Sequence, residues 1–278
     1  MCRVLGVSTS GFYAWRKRKP SKRSLKDSKL KALITKIHRD SRGTYGAPRI
    51  HAELRIGYGI CCSKRRVARL MREANLVGVH RKKPKGCTKR DPARPSYPDL
   101  IERSFTAATS RQQWVADITH HYTSEGWLYL AAIIDLFSRI IAGCLMSVRP
   151  IAELVVNALN IAIWNRRPEK DLIYHSDHGS QYTSLFFSQR LQNTGLLGFM
   201  GTVGDALENA ASESFYASLQ TELLNRYSWA IRLLLRSSIF DYIEAFFNRK
   251  RHHSTLDYLT SVEFEVRWFN QLKLKETA

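Results

Sequence analysis

The segment Ile173–Ser184 reads IYHSDHGSQYTS, and it decides the fold class of the chain. It begins with β-prone residues, reaches an acidic residue at Asp177 and a glycine at Gly179, and then continues with polar residues. This order predicts a buried strand whose end carries the Asp177 carboxylate to the edge of a sheet. Any account of function must therefore explain why a strongly basic chain places a carboxylate there.

The segments around Ile173–Ser184 alternate between strand and helix patterns. QWVADITHHYT, from residue 113, reads as a strand, and WLYLAAIIDLFSRIIAGCLMSV, from residue 127, reads as two strands joined by a turn at residues 137–139. A helical pattern over residues 151–167 precedes the segment, and a helix, a short strand and the helix NAASESFYASLQTELL follow it. This order predicts an α/β domain, a mixed sheet with helices on its faces.

Acidic residues from three of these segments can converge at one edge of the sheet. Asp117 lies in the first strand, Asp177 ends the buried strand, and Glu213 lies on the late helix, on a different face from its apolar stripe. Three carboxylates held together repel one another unless a cation lies between them. Oxygen ligands suit Mg²⁺ or Mn²⁺, and two such ions can clamp a phosphodiester that is being displaced.

The residue pattern alone leaves the choice of acids open. Asp135, in IIDLFSR, is an alternative to Asp117 as the first acid, and it also fits a role in pairing with Arg139 or shaping the hairpin. Any single acid of the set fits a surface or capping role.

The formal net charge of +20 is concentrated in the first third of the chain. Residues 1–100 hold 27 of the 44 Lys and Arg and 6 of the 24 Asp and Glu, a net of +21, whereas the remainder has a net of −1. This division predicts a nucleic-acid-binding region before a near-neutral domain. Residues 80–98, with seven Lys and Arg and four Pro, have a linker composition. We therefore predict a helical DNA-binding region at 1–79 and a basic linker at 80–104, followed by a second domain.

Two short helices on either side of GYGICC resemble a helix-turn-helix. The second helix is predicted to begin after Ser63 as its N-cap and to end near Gly78, with Val67, Leu70 and Met71 facing inward. Its outer face can contact DNA through a basic set: Lys64, Arg65, Arg66, Arg69 and Arg72. A plain three-helix bundle with a charged surface is the alternative.

Several classes of protein do not fit the composition. No run of about 18 apolar residues occurs, so no membrane span is predicted. The five cysteines form no C-x-x-C pair, which disfavours a zinc site or a disulfide framework and favours a cytoplasmic location.

Larger motifs carry a family resemblance. The segments WVADIT, GWLYLAAIIDLFSRIIAG, HSDHGSQYTS, VGDALENAASESFYASL and IFDYIEAFFNRKRHHSTLDYLT occur in this order between residues 114 and 260. Together they resemble the integrase-type core of bacterial insertion-sequence transposases, the second-reading-frame type, which is similar in chemistry to retroviral integrase. Upstream, SGFYAWRKR, GTYGAPRIHAEL and RVARLMREANLVGV resemble the helix-turn-helix segment that precedes this core.

This resemblance implies an integrase catalytic core at residues 105–270, with a particular fold and a catalytic site. The fold is ribonuclease-H-like, a five-stranded mixed sheet flanked by helices. The family's acidic triad falls on Asp117, Asp177 and Glu213, with 35 residues between the last two. The triad would bind Mg²⁺ or Mn²⁺, as two ions, and the chain would act as a transposase that cleaves DNA phosphodiesters at insertion-sequence ends and transfers the strand.

The same resemblance implies partners. They are double-stranded DNA of the terminal inverted repeats and of the target, further copies of the chain on that DNA, and an upstream-frame product as partner or fusion, in a bacterial cytoplasm at the nucleoid. Further DNA contacts are expected from six residues: His178, Gln181, Asn209, Arg249, Lys250 and Arg251. A turn histidine is the alternative for His178, and a solvated helix end is the alternative for the basic cluster.

The sequence also departs from the family pattern. Glu208 stands where Asp is usual, Gln220 where a basic residue is common, and Ser261 where Pro is usual. Gln220, together with the upstream-frame helices that this chain is expected to lack, favours an alternative function: a catalytically silent DNA-binding protein or regulator of transposon ends, from a decayed or partial copy.

Overall fold

The computed structural model describes residues 2–80, 112–176, 179–200 and 210–276. The chain divides into two compact units, Met1–Gly78 and Val79–Ala278. Apart from its first residue, the linker predicted at 80–104 lies outside the described residues. Within the described ranges, no helix is both long and apolar enough to cross a membrane.

The first unit is helical, as its sequence periodicity predicts. Its helices are α1 (Thr9–Lys17), α2 (Lys22–Asp40), α3 (Ala47–Ile56) and α4 (Lys64–Glu73). Helices α2, α3 and α4 pack on one another around a small buried core: Leu30, Ile34, Ile37, Ile50, Leu54, Val67, Leu70 and Met71. Ser63 is the N-cap of α4, where its hydroxyl accepts the Arg66 N–H at 3.2 Å, as predicted.

The end of α4 differs from the prediction. The helix ends at Glu73 rather than near Gly78, because the Ala74 N–H bonds back to the Leu70 and Met71 carbonyls and Asn75 adopts a left-handed φ of 53°. Gly78 is needed for a different reason. A Cβ at Gly78 would lie 2.4 Å from the Gly46 Cα, so this glycine allows two backbone segments to approach closely.

The second unit is built on a five-stranded mixed sheet, as predicted. The strands are β1 (Gln113–Thr123), β2 (Gly126–Asp135), β3 (Ile141–Ser147), β4 (Ile173–Ser176) and β5 (Leu197–Met200). Their order across the sheet is β3-β2-β1-β4-β5. The first three strands pair antiparallel as consecutive hairpins, whereas β4 and β5 are parallel to β1.

Helices cover this sheet. They are α5 (Ala152–Arg166), α6 (Leu185–Thr194), α7 (Ala210–Glu222) and α8 (Arg232–Asp241), and a π-helical segment, Tyr242–Phe247, continues α8. A further helix, α9 (Ser261–Glu276), follows. Trp114 and Ala116 of β1 pack with α5 and α6 in one buried cluster, together with Tyr174 and Tyr182. Helix α7 contacts β1, and α8 contacts β2. The predicted α/β class is thereby confirmed.

Candidate active site

Asp117 lies in the middle of β1, directly after the residues of this strand that pair with both β2 and β4. Across the antiparallel ladder it faces Ala132, and the residue before it, Ala116, pairs with Ser176 of the parallel strand β4. Its side chain is half-buried, and Oδ1 accepts the Ile118 N–H at 2.7 Å. The carboxylate is thus attached to a hydrogen-bonded strand inside the sheet, which limits its movement.

Asp177, the second predicted acid, lies outside the described residues. Its position in the sequence is still informative, because it directly follows Ser176, the last residue of β4. Ser176 pairs with Ala116, and Ala116 directly precedes Asp117. The residues that precede the two acids therefore lie at the same level of the sheet, on neighbouring parallel strands.

Glu213 lies in the first turn of α7 and is exposed. The buried side chains of this helix include Phe215 and Leu219, so Glu213 is on a different face, as predicted. Three residues further along, the Tyr216 hydroxyl donates to the Asp117 carbonyl oxygen at 2.6 Å. Residues three apart are neighbours on a helix surface, so this bond brings the Glu213 side of α7 to the strand of Asp117.

The hydroxyl of Tyr216 remains protonated at neutral pH. Burial raises its pKa well above the ordinary value, and the nearby Asp117 carboxylate acts in the same direction. Tyr216 therefore serves as a hydrogen-bond donor that attaches α7 to β1.

The chemistry of this region fits a hard cation. Within the part of the chain that the structure describes, no three His, Cys, Asp or Glu side chains are grouped so as to hold a metal ion. That part includes Asp117 and Glu213 but not Asp177. The donors contributed by these three residues are carboxylate oxygens, the ligand type preferred by Mg²⁺ and Mn²⁺.

Asp135, the alternative to Asp117, has a structural position. It is fully buried at the end of β2, and its Oδ1 accepts the N–H groups of Phe137 and Ser138 at 2.9 and 3.2 Å. Its Oδ2 lies 3.9 Å from Arg166. Burial raises the pKa of Asp135, while the two N–H groups and Arg166 oppose that shift. The carboxylate shapes the β2–β3 turn, one of the two roles that the sequence predicted for it.

We therefore expect Asp135→Asn to retain metal-dependent DNA cleavage within about twofold of the unmodified protein, because the amide oxygen keeps an acceptor for the turn. Asp135→Ala should cost about 1–3 kcal/mol of unfolding free energy, because it leaves two buried N–H groups without their acceptor. Urea denaturation and a cleavage assay on both variants check this. Loss of cleavage in a stable Asp135→Asn protein would show that Asp135 takes part in the chemistry.

The predicted DNA contacts on α4 separate into two groups. Lys64 and Arg65 are exposed, as predicted. Arg66 and Arg69, however, are directed to Asp27 of α2, with nitrogen–oxygen distances of 2.7 and 2.6 Å. Asp27 therefore partly neutralises two of the cations that the sequence assigned to DNA.

The remaining predicted contacts have different positions. Gln181 is half-buried, and its Nε2 donates to the Pro150 carbonyl at 2.8 Å. His178 and Asn209 lie outside the described residues. Arg249 and Lys250 are exposed at the end of the π-helical segment.

Arg251 does not fit a phosphate contact. Only 6% of it is exposed, and its guanidinium binds the Glu222 carboxylate. The sequence placed it in a basic cluster because it stands among Arg249, Lys250, His252 and His253, but both histidines are buried as well. In this predicted basic cluster, Arg251, His252 and His253 are therefore buried, whereas Arg249 and Lys250 are exposed. The sequence does hold one indication of this burial. Glu222 lies on the buried side of its helix near Leu219 and Leu223, and a buried carboxylate requires a cation beside it.

Comparison with known proteins agrees with this architecture. Residues 24–84 match the family described as HTH-like domain, and residues 107–206 and 213–267 match two families described as integrase core domain. The transposase InsF for insertion sequence IS3A of Escherichia coli strain K12 is 36% identical over 95% of this chain and 92% of its own length. An uncharacterized 31 kDa protein of insertion element IS600 from Shigella sonnei is 38% identical over 96% of this chain and 98% of its own length.

Among solved structures, the chain is similar to one in the intasome of simian T-cell lymphotropic virus in complex with PP2A regulatory subunit B56 gamma. The TM-score is 0.50 at 15% identity, over 77% of this chain and 73% of that one. At this identity the similarity concerns the fold alone.

The sheet order and the flanking helices define a ribonuclease-H-like integrase core, preceded by a helix-turn-helix-like domain. The sequence identity narrows this class. The chain belongs to the family of insertion-sequence transposases that includes InsF of the IS3 elements. The resemblance drawn from the sequence motifs is therefore confirmed.

Proposed function

We propose that this chain is a metal-dependent polynucleotidyl transferase that cleaves insertion-sequence ends and transfers the new 3′-OH to target DNA. The observation that carries the proposal is the bond from Tyr216 to the Asp117 carbonyl, which joins the helix of Glu213 to the strand of Asp117. The pairing of Ala116 with Ser176 adds that the residue before Asp177 lies at the same level.

The three carboxylates have one shared role in this proposal. Asp117, Asp177 and Glu213 would hold two Mg²⁺ or Mn²⁺ ions. When bound, these ions supply positive charge that favours both the attacking and the leaving oxygen of a phosphodiester. Backbone pairing of β1 and the bond to it from Tyr216 of α7 support this role, because they would hold the Asp117 and Glu213 carboxylates in place.

The helical unit would supply affinity for DNA ends. Its exposed cations, Lys64 and Arg65 among them, can neutralise phosphates. The region that matches the HTH-like domain, residues 24–84, would place a helix in a groove of the duplex. Inverted-repeat ends and target DNA are the proposed substrates. More than one copy of the chain is needed if both ends of an element are processed together.

A strand-transfer assay with the complete chain tests this function. Duplexes carrying the inverted repeats that flank the coding sequence are incubated with Mg²⁺, with Mn²⁺, or with a chelator. Joined products in the first two mixtures and none in the third are expected, and scrambled ends serve as the control. End binding without joining in either metal would instead support a silent DNA-binding regulator, an outcome that Gln220 makes worth testing because a basic residue is absent there.

A further inference from the structure

A buried ion pair contacts helix α7 on the side opposite Glu213. Glu222 and Arg251 are 5% and 6% exposed. The Arg251 Nε lies 2.9 Å from Glu222 Oε2, and its Nη2 lies 2.8 Å from Oε1. The same Nη2 donates to the Ser218 hydroxyl at 2.9 Å, and the Tyr242 hydroxyl donates to Glu222 Oε2 at 2.8 Å. One guanidinium thus bonds to two successive turns of the helix.

Arg251 is itself attached to the sheet. Asn248, three residues earlier, bonds to the start of β3 through its side-chain amide. Its Oδ1 accepts the Ile141 N–H at 2.9 Å, and its Nδ2 donates to the Ile141 carbonyl at 3.2 Å. The Arg251 guanidinium also lies over the Phe247 ring, 5.3 Å from its centroid. The segment that carries Arg251 is therefore fixed to the same sheet that carries Asp117.

The position of these contacts around α7 matters for Glu213. At 3.6 residues per turn, Ser218 and Glu222 lie about 140° and about 180° around the helix from Glu213, and Tyr216 lies about 60° from it. The helix is thus held on its Glu213 side by the Tyr216 bond to β1 and on its opposite side by Arg251. Two such attachments fix the rotation of the helix about its own axis.

Small rotations of α7 would displace the Glu213 carboxylate. A group about 6 Å from the helix axis moves by about 1 Å when the helix rotates by about 10°. A displacement of about 1 Å in a catalytic group can reduce the rate by about a hundredfold. Apolar packing would fill the same space without directional bonds, and replacing a buried ion pair by packed apolar residues is often neutral for stability. Directional bonds are what the ion pair adds.

We propose that Arg251, through Ser218 and Glu222, is a positioning residue that sets the rotation of α7 and with it the place of Glu213 as a metal ligand. This inference rests on the role proposed for Glu213. It replaces the DNA contact that the sequence assigned to Arg251.

The test compares two double substitutions that each remove one buried ion pair. Glu222→Leu with Arg251→Met removes the pair behind α7. The control, Arg166→Met with Glu265→Leu, removes a largely buried pair between α5 and α9 that does not involve α7. It also removes the guanidinium that lies 3.9 Å from Asp135 Oδ2, so the two double variants are compared together with their thermal midpoints. Arg251→Lys is a milder third variant, which keeps the charge but loses the forked geometry. Each complete chain is measured for thermal midpoint, Mn²⁺ binding by electron paramagnetic resonance, amide exchange in α7, end-DNA affinity and strand transfer.

We expect the first double variant to bind Mn²⁺ about tenfold to a hundredfold more weakly and to lose strand transfer by a similar factor. Amide exchange in α7 should become faster, and DNA affinity should be unchanged. Arg251→Lys should fall between this variant and the unmodified chain. The control should match the unmodified chain in Mn²⁺ binding and in α7 exchange.

Equal Mn²⁺ affinity and equal strand transfer in the folded Glu222→Leu/Arg251→Met protein would overturn the inference, as would equal losses in the control at the same thermal midpoint. If the double variant does not fold, Arg251→Lys decides on the same measurements. Glu213→Gln separates this inference from the proposed function. Normal activity in Glu213→Gln would remove the proposed function itself, whereas an inactive Glu213→Gln beside a fully active Arg251 variant would remove only the positioning role.

Discussion

Replacing Glu213 by glutamine, or either Asp117 or Asp177 by asparagine, is expected to lower strand transfer by about a thousandfold or more, about 4 kcal/mol in activation free energy. Each substitution keeps the size of the side chain and removes one negative charge from the proposed metal site. The three losses should not add in a triple variant, because the residues act as a unit. Single-turnover strand transfer at several Mg²⁺ and Mn²⁺ concentrations measures the effect.

Two comparisons keep this result specific. Binding to insertion-sequence ends should survive in all three variants, because the helical unit carries the excess positive charge. Asp135→Asn should remain active, because Asp135 is occupied with the turn at Phe137 and Ser138. Near-normal activity of any one triad variant with Mg²⁺ would mean that the triad is assigned wrongly.

The strands and helices of the core could be predicted because local patterns determine them. The strand read from QWVADITHHYT is β1, and the hairpin turn falls after Asp135. Helix α6 is closed by Gly195, its C-cap, which adopts a left-handed φ of 68°. In each case the period of apolar residues, or a glycine with positive φ, lies within the segment itself. The predicted end of α4 was wrong, because Asn75 takes the left-handed position that the sequence pattern favoured for Gly78.

The contacts behind the candidate site could not be predicted, because they join residues that are far apart in sequence. Glu222 and Arg251 are separated by 29 positions, and Asn248 and Ile141 by 107. A run such as NRKRHH looks like a solvated basic surface when only its neighbours are considered. Whether a cation in that run is buried depends on an acid elsewhere, and a single sequence does not reveal that pairing.

The same limit applies to helix α4, where Asp27 pairs with Arg66 and Arg69 across 39 and 42 positions. These bonds lower the pKa of Asp27, through Arg69 first and Arg66 second, so the carboxylate stays ionised and the pair persists near neutral pH. Two of the cations on α4 are thus held in ion pairs within the protein. Lys64 and Arg65 have exposed side chains and are better placed to meet phosphate.

The affinity of this chain for duplex DNA is expected to fall steeply as the salt concentration rises. If the complete chain contacts at least six phosphates, its affinity for duplex DNA should fall by about a thousandfold between 50 and 200 mM salt, because each neutralised phosphate releases counterions. Fluorescence anisotropy with end duplexes and random duplexes at several salt concentrations gives the slope of log K against log salt. A slope near zero would show that phosphate neutralisation does not drive binding, despite the net charge of +20.

Variants of α4 then assign that slope to particular side chains. Lys64→Ala with Arg65→Ala should flatten it by about two units, about one for each phosphate that is no longer neutralised. Asp27→Asn should act in the opposite direction, because it removes the anion that Arg66 and Arg69 bind. The Arg66 guanidinium can then turn towards phosphate, whereas Arg69 keeps its ion pair with Glu73. The slope of this variant should become steeper and its affinity higher, provided circular dichroism shows that the helical unit remains folded.

If Lys64 and Arg65 also read base edges, their loss should weaken binding to end duplexes more than to random duplexes, whereas equal weakening would assign them to the DNA backbone. An unchanged slope in Asp27→Asn would mean that Arg66 and Arg69 face the protein whether or not Asp27 is charged, and the DNA surface of α4 would then be limited to its exposed side.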